Sequence, residues 1–241
     1  MRLLIIRHGD PDYEHDSLTE KGKREAKLLA DALEKEKIDA FYVSSYGRAK
    51  ETAAPTLERF GAVPEICDYL HEFDYPTFNA DGTRRMVAWD LMPREWTPDE
   101  RYYDLEKWGE TDIMRSGDLL SHAAHVAKCF DECLAKHGYV REGRYYRTEQ
   151  GNEKTLAFFC HLGLECVLLS HLLGISPVLL WQGTNALTTS VTTLYTEERE
   201  KGYAYFRMSC FGDTAHLRYF GEPDSFSGRF CEVYENMDQR H

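Results

Sequence analysis

Leu3-Leu4-Ile5-Ile6-Arg7-His8-Gly9-Asp10 is a run of aliphatic residues that ends abruptly in a cation, an imidazole and a glycine. Consecutive apolar positions without polar alternation suit a strand covered on both faces, as in a parallel sheet layered between helices. The imidazole then stands just past the strand's carboxyl end, the edge at which open α/β sheets bind ligands. Arg7 offers a planar fork of donors matched to a carboxylate or phosphate, and Gly9 lets the backbone turn sharply and approach a ligand. Taken alone, an Arg-His-Gly tripeptide is more often an ordinary strand end, so the rest of the chain has to decide.

A second strand with the same ending lies far along the sequence. Thr155-Leu156-Ala157-Phe158-Phe159-Cys160 is the most continuously apolar run, and it ends in His161, followed by Gly163 and an apolar helix to Leu173-Gly174. In a parallel sheet the two imidazoles face the same edge. Between them, Ser17-Leu18-Thr19-Glu20 has capping-box spacing, and Ala26, Leu29, Ala30 and Leu33 recur at i, i+3, i+4, i+7, which predicts a helix to about Lys35. Ile38 to Val43 reads as a strand delivering Ser44-Ser45-Tyr46-Gly47-Arg48. A helix from about Arg48 places Ala49, Ala53, Leu57 and Phe60 on one face, with a kink expected at Pro55 and a stop at Gly61. Ala62 to Cys67 reads as a third short strand, leading into Asp68-Tyr69-Leu70-His71-Glu72-Phe73-Asp74.

Downstream, Ser116-Gly117-Asp118 opens a long helix carrying Leu119, Ala123, Val126, Phe130 and Leu134, closed by Gly138. Its His122 and His125 share a face and lack acidic or sulfur partners, so they read as solvated rather than metal-binding. Tyr139 to Lys154 resembles a surface hairpin, and Thr184 to Thr196 and Tyr203 to Phe211 read as further strands. From Tyr75 to Arg115 the composition shifts to Pro76, Pro93, Pro98, Trp89, Trp96, Trp108, Arg84, Arg85, Arg94 and Arg101, with no clear period. This stretch is expected to be an insertion that covers a pocket, although plain packing is the more ordinary role of any single tryptophan. The expected fold class is α/β: a three-layer sandwich with a mostly parallel central sheet, helices on both faces, and an inserted lid at about 75–115, all in one domain over residues 1–241.

With 241 residues, 42% of them hydrophobic, the chain can bury a substantial core. No apolar run approaches bilayer length and the opening run is too short for a secretory leader, so a soluble cytoplasmic protein is expected. The seven cysteines are scattered without C-x-x-C pairs, which suits reduced thiols rather than a disulfide framework or a structural zinc. A net charge of −12 argues against nucleic acid or an anionic membrane as partner, so arginines must hold any anionic ligand locally.

As one ordered set, Arg7-His8-Gly9, Leu18-Thr19-Glu20-Lys21-Gly22, Ser44-Ser45 with Arg48-Ala49 and Thr52-Ala53, Leu70 with Glu72, and His161 after an apolar strand resemble the histidine phosphatase superfamily, which includes phosphoglycerate mutases. The resemblance covers Met1 to about Phe73 and Ser116 to about Tyr195. It implies that His8 is the nucleophile that becomes phosphohistidine, that Arg7 and Arg48 hold phosphoryl oxygens, that His161 completes the phosphate pocket and that Glu72 is the proton donor, with no cofactor or metal. A small phosphorylated substrate is the implied partner. The sequence departs from the family pattern in having His161-Leu162-Gly163 where two glycines are common, and Pro11 where a threonine is common. Asp74 would share a strand face with Glu72; register with Leu70 favours Glu72. The function implied is a metal-independent phosphatase. A mutase of the phosphoglycerate type and a phospholigand-binding module with little turnover are the alternatives.

Overall fold

The computed structural model describes residues 1–79, 81–225 and 227, together with the backbone of strands 232–233 and 236–240. Its central sheet contains β1 (Arg2–Arg7), β2 (Ala40–Ser44), β3 (Glu65–Cys67), β4 (Val140–Glu142), β5 (Tyr145–Arg147), β6 (Thr155–Cys160), β7 (Val191–Glu200) and β8 (Tyr203–Asp213). The spatial order is β3-β2-β6-β1-β7-β8-β5-β4. The half β3-β2-β6-β1 is parallel, and the pairings from β1 through β7 to β4 are antiparallel. The main helices are α1 (Glu20–Leu33), α2 (Gly47–Phe60), α3 (Leu119–Ala135), α4 (Leu162–Leu173), α5 (Pro177–Gly183) and α6 (Ala215–Phe220).

The opening run explains why the sheet lies between two helical layers. Strand side chains alternate between faces. Leu3 and Ile5 accordingly join a core with Val126, Phe130 and Leu134 of α3 and Leu164 and Leu168 of α4, while Leu4 and Ile6 join one with Leu29 and Leu33 of α1 and Ala53 of α2. Burying such side chains contributes about 1.5–3 kcal/mol each, so a polar residue at any of the four would destabilise the centre of the molecule. β6 splits the same way, with Leu156 and Phe158 on one face and Ala157 and Phe159 on the other.

Several boundaries differ from expectation. The residue capping α1 is Thr19, whose Oγ1 accepts from the Gly22 N–H at 3.1 Å, so the cap lies two residues beyond Ser17. The third strand is confined to Glu65–Cys67, and α2 runs uninterrupted through Pro55. Thr184 to Ser190 contributes no strand; it is a loop with Thr189 in the left-handed region (φ 55°), and β7 begins at Val191. Within 75–115, Ala88, Leu91, Tyr102, Trp108, Ile113 and Met114 are buried in the core shared with α3 and α4, so Trp108 is a packing residue. Trp89 and Trp96 are only partly covered. His122 stacks on Tyr75 with ring centroids 3.5 Å apart, whereas His125 is exposed. Cys67, Cys129, Cys133, Cys160, Cys166 and Cys210 are free thiols. Among the described residues no helix is long and apolar enough to cross a membrane.

Candidate active site

Strand register builds the site. Arg7 pairs with Cys160 in the parallel β1–β6 ladder, so the next residue on each strand, His8 and His161, emerges at the same edge. Their ring centroids are 5.1 Å apart and both rings are buried. Gly9 follows because β1 must pass α1 closely: a Cβ at Gly9 would stand 2.9 Å from the Gly22 carbonyl oxygen, and one at Gly22 would stand 2.9 Å from the Asp10 nitrogen. The glycine of the Leu18-to-Gly22 motif is therefore the seat of the histidine loop.

Hydrogen-bond partners orient both rings. His8 Nδ1 lies 2.7 Å from the Gly9 carbonyl oxygen. A carbonyl only accepts, so Nδ1 carries the hydrogen and Nε2 keeps its lone pair. His161 is arranged the other way. Its Nε2 is 2.8 Å from Ser44 Oγ, which also accepts from the Tyr46 N–H at 3.3 Å, and its Nδ1 is buried with no protein partner. Burial, foremost, then the Arg7 and Arg48 charges, hold His8 well below the ordinary imidazole range; burial followed by His8, Arg48 and Arg7 does the same to His161. Both rings are neutral at pH 7.

Positive charge comes from two buried guanidinium groups. Arg7 Nη1 donates to the Ala186 carbonyl at 2.5 Å. Arg48 Nη1 donates to Asp16 Oδ1 at 2.6 Å, and Asp16 Oδ2 accepts from the Gly47 N–H at 2.6 Å, which ties the start of α2 to the loop after β1. Arg48 also lies over the rings of Tyr46 (4.8 Å) and Tyr13 (5.5 Å). Arg7 Nε and Arg48 Nε are buried donors without a protein partner, and His161 Nδ1 is likewise buried and unpaired. Donors of this kind, converging beside an imidazole lone pair, suit the equatorial oxygens of a phosphoryl group.

Glu72 reaches this cluster from the segment after β3. Its Oε1 accepts from the Phe73 N–H (2.8 Å) and the Leu164 N–H (3.1 Å). Burial raises its pKa above the usual carboxylate value, against the pull of these two donors and of Arg7 and Arg48. Asp74 is exposed and acts instead on the hydroxyls of Tyr46 and Tyr75. The departures from the family pattern have local reasons. Leu162 begins α4 with its side chain in the core, and the close approach falls on Gly163, where a Cβ would stand 2.6 Å from Trp89 Cη2 and 2.9 Å from Glu72 Oε1. Around Pro11, the hydroxyls come from Thr52, which accepts from the Gly9 N–H at 2.9 Å, and from Thr19, which donates to Asp10 at 2.5 Å.

The five residues singled out in the sequence, Arg7, His8, Arg48, Glu72 and His161, thus come together. Sequence reasoning passed over Asp16, Ser44 as the partner of His161, Trp89 and Glu165. Glu165 is fully buried on α4, and burial pushes its pKa up to about 7 against the opposing Thr192 hydroxyl. A lone acid in the apolar stretch Leu162–Leu173 was the available signal. Among the described residues, no group of three or more His, Cys, Asp and Glu side chains is placed to hold a metal ion.

A family model described as histidine phosphatase superfamily (branch 1) matches residues 3–207. A probable phosphatase of Schizosaccharomyces pombe is 28% identical over 233 residues, covering 90% of this chain and 95% of its own. Among solved structures, a phosphoserine phosphatase mutant from Entamoeba histolytica in complex with phosphoserine has a TM-score of 0.60 at 18% identity, covering 90% of this chain and 98% of its own. A mycobacterial glucosyl-3-phosphoglycerate phosphatase in complex with VO3 has a TM-score of 0.59 at 20% identity, covering 88% and 99%.

Proposed function

The chain belongs to the histidine phosphatase superfamily, and from that premise we propose that it is a metal-independent phosphatase that hydrolyses a small phosphomonoester through a phosphohistidine on His8. The observation that carries this reading is the His8 tautomer: Nδ1–H is held by the Gly9 carbonyl, which leaves the Nε2 lone pair free on a ring that feels the charges of buried Arg7 and Arg48. Attack of Nε2 on phosphorus forms the N–P bond as the P–O bond to the leaving alcohol breaks. Glu72, whose buried carboxyl holds its proton above the usual range, delivers that proton to the departing oxygen. The Glu72 carboxylate then takes a proton from water, whose oxygen attacks phosphorus and returns His8 to its starting state.

The transferring phosphoryl group spreads negative charge over three oxygens, and Arg7, Arg48 and His161 are the groups that stabilise it. They carry more of the rate than the acid does, since proton transfer supplies only ~10²–10⁴-fold. The named relatives include phosphatases of small phosphorylated molecules, phosphoserine and glucosyl-3-phosphoglycerate, and the reading assigns the same broad class here.

Hydrolysis of p-nitrophenyl phosphate in the presence of EDTA tests it. The wild type should turn over with chelator present, and His8→Ala should fall to background with an unchanged melting temperature. Substantial residual activity in that variant would remove His8 as nucleophile. Loss on chelation would point to a metallohydrolase, and phosphate binding without turnover to a binding module.

A further inference from the structure

We propose that Trp89 sets the substrate class, selecting phosphomonoesters whose leaving alcohol carries a flat, uncharged ring. This deepens the phosphatase reading and rests on it. The placement of Trp89 follows from Gly163: the indole edge and Glu72 Oε1 both stand within 3 Å of where a Gly163 Cβ would be, so the tryptophan borders the carboxyl group that protonates the leaving oxygen. The Gly163 carbonyl is anchored from behind by the Trp181 N–H at 2.9 Å, which fixes the floor against which the indole rests. Trp89 is only partly covered, unlike Trp108.

The electrostatics of the same rim disfavour a charged leaving group. Arg7 and Arg48 are the cations that act on Glu72, and both belong to the phosphoryl pocket. Of the five arginines in the 75–115 segment, Arg84 pairs with Glu95, Arg101 pairs with Asp99, and Arg85, Arg94 and Arg115 are exposed. The remaining rim is aromatic and acidic. Tyr46 stacks on His71 (5.7 Å, 21°) and meets His161 edge-on (5.3 Å), His71 meets Tyr75, and Asp74 faces both tyrosines. A carboxylate or second phosphate would meet the Asp74 carboxylate, whereas a ring would find π surface.

The test compares benzyl phosphate, glycerol 1-phosphate and phosphoserine, all esters of primary alcohols, so the demand on the acid is similar and ring and charge are what differ. The wild type should show kcat/KM for benzyl phosphate about tenfold or more above either of the others, the scale at which an apolar pocket discriminates. Trp89→Leu, which fills the space without a π face, should lose that preference chiefly through KM for benzyl phosphate, and Trp89→Phe should restore it. A wild type that favours phosphoserine or glycerol 1-phosphate would overturn the proposal, as would an equal loss on all three substrates in Trp89→Leu. Either result would leave the phosphatase reading standing, because turnover itself would have been seen. Absence of turnover on every substrate would overturn both.

Discussion

Replacing Glu165 by glutamine should change how the stability of this protein depends on pH, by an amount set chiefly by burial. Glu165 lies fully buried on α4, and desolvation moves its pKa from 4.5 to about 7, with the Thr192 hydroxyl and Arg7 opposing and Glu72 reinforcing the shift. Between those two values the folded state keeps a proton that the unfolded chain has lost, so stability falls as pH rises. Each unit of difference corresponds to about 1.4 kcal/mol, and integrating from pH 4 to pH 8 gives a loss of about 3 kcal/mol from this one group. The glutamine amide cannot ionise. Urea unfolding of both proteins across that range, with matched m-values, should therefore show a difference that is small at pH 4 and grows to about 3 kcal/mol in favour of Glu165→Gln at pH 8. Other titrating groups are common to both proteins and cancel in the difference. A flat difference curve, or one that grows toward acid, would refute the reasoning.

Glu72→Gln should lower kcat for benzyl phosphate by ~10²–10⁴-fold while affecting p-nitrophenyl phosphate far less, because only the poor leaving group needs a proton. Steady-state kinetics on the two substrates decides it, and the same pattern in Asp74→Asn instead would reassign the acid. Ser44→Ala should leave His161 Nε2 buried without its hydrogen-bond partner, at a cost of about 1–3 kcal/mol in denaturant unfolding, and raise KM as the His161 ring loses its anchor. No change in either would mean that Ser44 does not orient the ring.

Much of the site was legible because strand register is local physics. Two apolar runs, each ending in histidine, predict neighbouring imidazoles once both strands are parallel and adjacent, and Arg7 opposite Cys160 is that prediction realised. Register with Leu70 favoured Glu72 over Asp74 as the acid; in the structure Glu72 accepts from the Leu164 N–H and Asp74 is exposed. What stayed hidden depends on contacts between distant segments. Trp89 reaches Gly163 from far along the chain, through a stretch with no period to read. Asp16 looked like one more acid in a polar loop, yet a left-handed backbone (φ 47°) turns it onto Gly47 and Arg48. The mixed half of the sheet follows from the β7–β8 hairpin, whose first strand begins later than the threonine content of residues 184–190 suggested, while β8 begins at Tyr203 as read.

The most direct test of the central claim is to mix the enzyme with benzyl phosphate, quench within a turnover in alkali, where phosphoramidates survive, and locate the phosphate by peptide mass spectrometry. A phosphoryl group on His8, absent from His8→Ala and lost on brief acid treatment, is the predicted result. Turnover without any phosphoenzyme at His8, or with the phosphate on another residue, would contradict the account.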